Sequence, residues 1–274
     1  TSSGNLVWAK SFGGSSSDIA TSISVDASGN VYTTGRFGGT GDFDPGSGTV
    51  NLTSNGSYDV YVQKLTSSGN LVWAKSFGGS SSDYATPISV DASGNVYTTG
   101  RFQGTVDFDP GSGTVNLTSN GGYDVYVQKL TSSGNLDWVK SFGGSSSDYG
   151  RSISVDASGN VYTTGYFGGT VDFDPGSGIV NLTSNIAADV FIQKLNSSGN
   201  LVWAKSFGGS SIDQAKSISV DASGNVYTTG DFLGTVDFDP GSGTVNLTSN
   251  GGWDVFIQKL TSSGNLVWAK SFGG

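Results

Sequence analysis

The chain has 274 residues and a net charge of −9, with 44 Gly and no Cys, Met, His or Glu. Those absences exclude thiolate and histidine metal centres, cysteine nucleophiles and the Ser-His-Asp triad, and without Glu, Met or long Ala/Leu/Lys runs no stretch reads as a helix. The acidity speaks against a nucleic acid or an anionic membrane surface as partner, because both select basic patches, and no run approaches the roughly 18 apolar residues of a membrane span.

The first predicted element lies in residues 1–14, TSSGNLVWAKSFGG, a segment that recurs at 66, 131, 196 and 261. It divides the chain into four units of 65 residues and a remainder of 14. Residues 1–65 and 66–130 differ at five positions. The charge is periodic as well: each unit holds five fixed Asp (Asp18, Asp26, Asp42, Asp44 and Asp59 in the first) and two fixed Lys (Lys64 and Lys75). Acidity is thus a property of the scaffold.

Taking residues 1–14 as a surplus outer strand, the four units run over 15–79, 80–144, 145–209 and 210–274. In the second of these the predicted strands are Ile88 to Asp91, Asn95 to Phe102, Asp124 to Leu130 and Asn135 to Phe142. The first pair is joined by Ala92-Ser93-Gly94 and the second by Thr131-Ser132-Ser133-Gly134, with Gly where a tight hairpin requires positive φ. Between the pairs, Thr105 to Asp109 and Thr114 to Thr118 flank Pro110-Gly111-Ser112-Gly113 and alternate like a small extra hairpin.

Tandem sheets of four antiparallel strands bury both faces when they stack radially, so the predicted fold is an all-β propeller of four blades plus one surplus outer strand. The fourth-strand Trp (Trp8, Trp73, Trp138, Trp203, Trp268) is expected to pack between neighbouring blades. A β-helix is the competing architecture, but its repeats are shorter and do not contain two tight hairpins. One fourth strand is in excess: either Asn5 to Phe12 or Asn265 to Phe272 closes a ring, and the other is left as an unpaired edge. Such an edge suits a section of a longer array, or a homo-oligomer or filament built by strand addition.

The run Ile88-Ser89-Val90-Asp91-Ala92-Ser93-Gly94-Asn95-Val96-Tyr97-Thr98-Thr99-Gly100, followed by Asp124 to Leu130 and Leu136 to Gly144, resembles the bacterial β-propeller repeats often called seven-bladed. The resemblance spans essentially the whole chain. It implies a secreted or cell-surface setting and supplies no shared catalytic motif. Four units are present here rather than seven.

Differences among the units cluster at the connection into the first strand, at the end of the second and just before the third. There the chain carries Tyr84, Tyr149, Arg151, Arg36, Arg101, Tyr166, Asp231, Tyr58, Tyr123 and Trp253. In a meander these positions share one end of the blade, while the uniform hairpins lie at the other. All three Arg stand there among aromatics, a composition suited to contacting a partner.

The pairs Asp42 and Asp44, Asp107 and Asp109, Asp172 and Asp174, and Asp237 and Asp239 sit two apart, facing the same way on a strand. With Pro-Gly-Ser-Gly after them they faintly resemble calcium loops, but lack a third acid and a closing bidentate Glu. Four near-identical surroundings also argue against glycoside hydrolysis, which needs two carboxyls in different environments. The Asn-Leu-Thr triplets at 51, 116, 181 and 246 read as strand ends.

The expected function is a non-catalytic, extracellular structural or adhesive scaffold that meets a protein or glycan at the cell surface through the varied rim and needs no cofactor. The alternative is a multivalent glycan-binding propeller, assisted by calcium.

Overall fold

The computed structural model describes residues 3–274, and all its regular structure is β. The segment before the first unit ends in β1 (Gly13–Gly14), and the first unit contains β2 (Ile19–Val25), β3 (Val31–Phe37), β4 (Thr40–Asp42), β5 (Asn51–Thr53), β6 (Asp59–Leu65) and β7 (Leu71–Gly79). The second contains β8 (Tyr84–Val90), β9 (Val96–Phe102), β10 (Thr105–Asp107), β11 (Asn116–Thr118), β12 (Asp124–Leu130) and β13 (Leu136–Phe142). The third has β14 (Tyr149–Val155), β15 (Val161–Asp172), β16 (Asn181–Leu195) and β17 (Leu201–Phe207). The fourth has β18 (Gln214–Val220), β19 (Val226–Phe232), β20 (Thr235–Asp237), β21 (Asn246–Thr248), β22 (Asp254–Leu260) and β23 (Leu266–Phe272).

The blades are antiparallel meanders in the orders β2-β3-β6-β7, β8-β9-β12-β13, β14-β15-β16-β17 and β18-β19-β22-β23. Each is inner to outer in chain order. The hairpin turns hold their glycines at positive φ, 78° at Gly94 and 80° at Gly134, as tight reversals between right-twisted strands require. In the first of these turns Asp91 caps the loop: its carboxylate accepts the N–H groups of Ser93 and Asn95, the Asn95 amide and the Tyr97 hydroxyl.

The core lies between blades. Tyr32, Val60 and Val62 of blade 1 pack with Ala85, Ile88 and Val96 of blade 2. The same set recurs as Tyr97, Val125 and Val127 against Ile153 and Val161, and as Tyr162, Val190 and Ile192 against Ala215, Ile218 and Val226. At each boundary the outer-strand Trp reaches across: Trp73, Trp138 and Trp203 donate their indole N–H to the carbonyls of Ser132, Ser197 and Ser262, each at 3.1 Å.

The extra hairpin is a clamp. β10 pairs on one side with β11 and on the other with Gly78–Gly79 at the end of β7, so the insertion of blade 2 extends the sheet of blade 1. Phe108, just after β10, sits 5.2 Å from Phe77 of the preceding blade and 5.2 Å from Tyr126 of its own. The buried Gln128 amide donates to the Phe108 carbonyl at 2.8 Å and fixes the loop there.

The surplus strand has a definite place. Residues 6–12 form no regular strand, and Gly13–Gly14 pair with β4. Trp8 nevertheless donates to the Ser67 carbonyl, and Phe12 packs on Phe43 and Tyr61, repeating the outer-strand contacts of a blade that would precede blade 1. The C-terminal copy is simply the outer strand of blade 4. Among the described residues neither closes a ring: blade packing runs from 1 to 2, 2 to 3 and 3 to 4, and nothing of comparable extent joins 4 to 1.

Candidate functional site

The varied positions converge because the meander brings both connections to one end. Tyr84 opens β8 opposite Arg101 at the end of β9, and Tyr149 opens β14 opposite Tyr166. Tyr58 and Tyr123 precede the third strands, where their carbonyls accept the N–H of Asp83 and Asp148 from the neighbouring connection.

The side chains interleave across three blades. The Arg36 guanidinium lies 5.2 Å from the Tyr58 ring and 4.9 Å from the Tyr84 ring. Arg101 lies 4.3 Å from Tyr84, 4.9 Å from Tyr123 and 4.8 Å from Tyr149. Arg151 lies 5.2 Å from Tyr166 and donates to its hydroxyl at 2.9 Å, while Tyr149 and Tyr166 stack at 4.7 Å. Burial, followed by the neighbouring Tyr84, pushes the Tyr123 phenol above its ordinary range.

Among the described residues the ion pairs are Lys129–Asp137 and Lys216–Asp231, so none of the three Arg meets a carboxylate. Their Nε atoms are buried without a partner. Stacking faces the guanidinium planes with tyrosine quadrupoles and leaves the charge uncompensated. Blade 4 departs from this: Asp231 pairs with Lys216 at 3.3 Å, and Trp253 stands half-exposed.

The four Asp pairs, which faintly resemble calcium loops, cap turns. Asp107 accepts the N–H groups of Asp109 and Val115, and Asp109 accepts that of Gly111. In blade 1, Asp42 accepts from Asp44 and Val50, and Asp44 from Gly46. In blade 3, Asp172 accepts from Asp174 and Val180, and Asp174 accepts the N–H of Gly176 at 2.8 Å. In blade 4, Asp237 accepts from Asp239 and Val245, and Asp239 accepts the N–H of Gly241 at 2.8 Å. The second Asp of every pair, Asp44, Asp109, Asp174 and Asp239, behaves alike. Each turns an oxygen into its own loop to hold the Pro-Gly reversal, the ordinary work of an Asp that starts a turn. No cluster of three or more acidic side chains that could hold a metal ion occurs among the described residues.

Another set of carboxylates escapes the sequence reading. Asp83 is buried and accepts the N–H of Gly79 at 2.7 Å and of Gln103 at 3.2 Å, tying two rim loops together. Asp148 does the same with Gly144 and Gly168. Burial pushes Asp83, Asp124, Asp148 and Asp189 up to about 6. The available signal is an Asp that stays fixed in the most varied connection of the unit.

The repeat signature of the SBBP β-propeller family matches residues 7–36, 137–166 and 202–231. An uncharacterised WD repeat-containing protein of Acanthamoeba polyphaga mimivirus is 30% identical over 240 residues, covering 76% of this chain and 17% of that protein. The regulatory protein FlaEY of Caulobacter vibrioides is 24% identical over 263 residues, covering 89% of this chain and 26% of that protein. The chain therefore spans about a quarter or less of either relative.

Proposed function

For a chain that carries SBBP β-propeller repeats, we propose a non-catalytic, extracellular scaffold that holds a partner against its varied rim, the partner presenting carboxylate or sulfate groups. The observation behind this reading is the ladder of Arg36, Arg101 and Arg151 between five tyrosines, three cations without a counter-charge on a chain of net charge −9. A stacked guanidinium keeps its N–H edge in a fixed plane, the geometry that matches an oxyanion. Tyrosines beside it add rigid contact area at small conformational cost.

Titration with polygalacturonate and dextran sulfate against neutral dextran tests it. The expected result is binding of the acidic polymers that falls at least tenfold in the Arg36→Gln/Arg101→Gln/Arg151→Gln variant. Equal binding of neutral dextran, or of the acidic polymers by the variant, overturns the reading.

A further inference from the structure

The two ends of the array carry the halves of an interface that the chain itself forms three times. At the first end, Ile23 on β2 is 66% exposed, whereas its counterparts Ile88, Ile153 and Ile218 are 7%, 6% and 5% exposed. Ala20 and Val25 of the same strand are also exposed. At the other end, Tyr227, Val255 and Ile257 are only half-buried, although their counterparts Tyr162, Val190 and Ile192 are fully covered by blade 4. There an apolar groove of about 230 Å³ opens beside Ile218, Tyr227 and Ile257. Phe272 is 57% exposed, against 4–5% for Phe77, Phe142 and Phe207.

We propose that these faces bind one another between two copies of this chain, head to tail, with Ala20, Ile23 and Val31 of one copy seated on Tyr227, Val255 and Ile257 of the other. What selects this occupant is repetition: three internal boundaries join the same positions in the same order. The polar contacts transfer as well. Ser22 and Ser152 accept the N–H of Ile88 and Ile218 across their boundaries, so Ser217 is placed to accept that of Ile23. Lys64 and Lys194 reach the carbonyls of Ser132 and Ser262, so Lys259 is placed to reach that of Ser67.

The contact is heterologous, and such contacts close into rings or extend into filaments. Two copies joined at both ends hold eight blades, and rings of up to about eight blades are known to close. Residues 1–14 and 261–274 are identical in sequence and compete for one place at this junction. Residues 5–14 already occupy, on blade 1, the position that the partner's outer strand would take. One of the two segments must yield, and the interface needs only one.

This separates face docking from strand addition by the N-terminus. In sedimentation, the intact chain is expected at a multiple of its own mass, and deletion of residues 1–14 leaves that assembly in place or tightens it. Ile23→Asp and Ile257→Asp are each expected to remain monomeric with unchanged circular dichroism; if Ile257→Asp melts early, Ile257→Ser serves the same arm. Mixing the two single variants is expected to restore a dimer and nothing larger, because one good face of each kind is then present. A monomeric intact chain, a mixture that stays monomeric, or assembly lost on deleting residues 1–14 overturns the proposal.

Discussion

The inner strands of blades 1 and 3 share the run Ser-Ile-Ser-Val and have opposite surroundings. β14 is covered by the Tyr97, Val125 and Val127 face of blade 2, whereas β2 has its apolar side in solvent. The unit of stability is therefore the boundary between two blades, and a blade alone encodes half of two such boundaries. That is the logic of quasi-one-dimensional repeat stacks, in which nearest-neighbour interfaces supply much of the folding free energy.

The contrast can be broken at its largest effect by truncating the same residue in both places. Ile153→Ala should cost about 2–5 kcal/mol through lost burial and a residual cavity, whereas Ile23→Ala in dilute solution should stay within about 0.5 kcal/mol. Chemical denaturation of the two variants checks this. The outer-strand Trp gives a smaller version. Trp138→Phe removes the bond to the Ser197 carbonyl and should cost about 1 kcal/mol, while Trp268→Phe, whose indole makes no such bond among the described residues, should leave the melt of the dilute chain nearly unchanged.

The smallest effect is the pH dependence. Asp83, Asp124, Asp148 and Asp189 bind protons more tightly folded than unfolded, because burial raises them to about 6. Their contribution is fully present below the unfolded value near 3.8 and is lost as pH rises through about 6, so the melting temperature should climb from pH 7.5 to pH 4.5. Asp91 and Asp156 act oppositely. Burial raises them, but hydrogen bonds from Asn and Tyr outweigh it and leave both lowered, so their contribution is lost on acidification below that range. A maximum between roughly pH 4 and 5 in a melting series is the expected outcome, and a flat profile across pH 4.5 to 7.5 contradicts it.

Much of this is legible in the chain. Hairpins, the extra insertion and the Trp bridges follow from Gly positions and alternation. The predicted first strand is too short, because β8 begins at Tyr84 and carries an irregularity between Ala85 and Ile88, around Pro87, that breaks the alternation. The third unit differs from its siblings where Ile186-Ala187-Ala188 replaces the glycine-rich link, so its hairpin runs continuously from β15 into β16. Spacing alone also leaves the role of the Asp pairs open. Asp174 and Asp239 share the i, i+2 pattern of ligands, yet the Pro-Gly that follows commits each to the N–H of the glycine two residues on. The clustering of the rim positions follows from the meander, but the order of stacking does not, since it depends on rotamers across blade boundaries. Which end copy joins a full blade is also hidden: residues 1–14 and 261–274 are identical in sequence, yet only Leu266–Phe272 pairs along its length, with β22.

Residue-level hydrogen exchange at rising protein concentration distinguishes open ends that meet as two halves of one interface from ends that stay apart. Amides of β2 and β22 should gain protection together as concentration increases, while those of β14, already covered in the isolated chain, stay constant. Exchange at β2 and β22 that is independent of concentration would mean that the two faces do not meet.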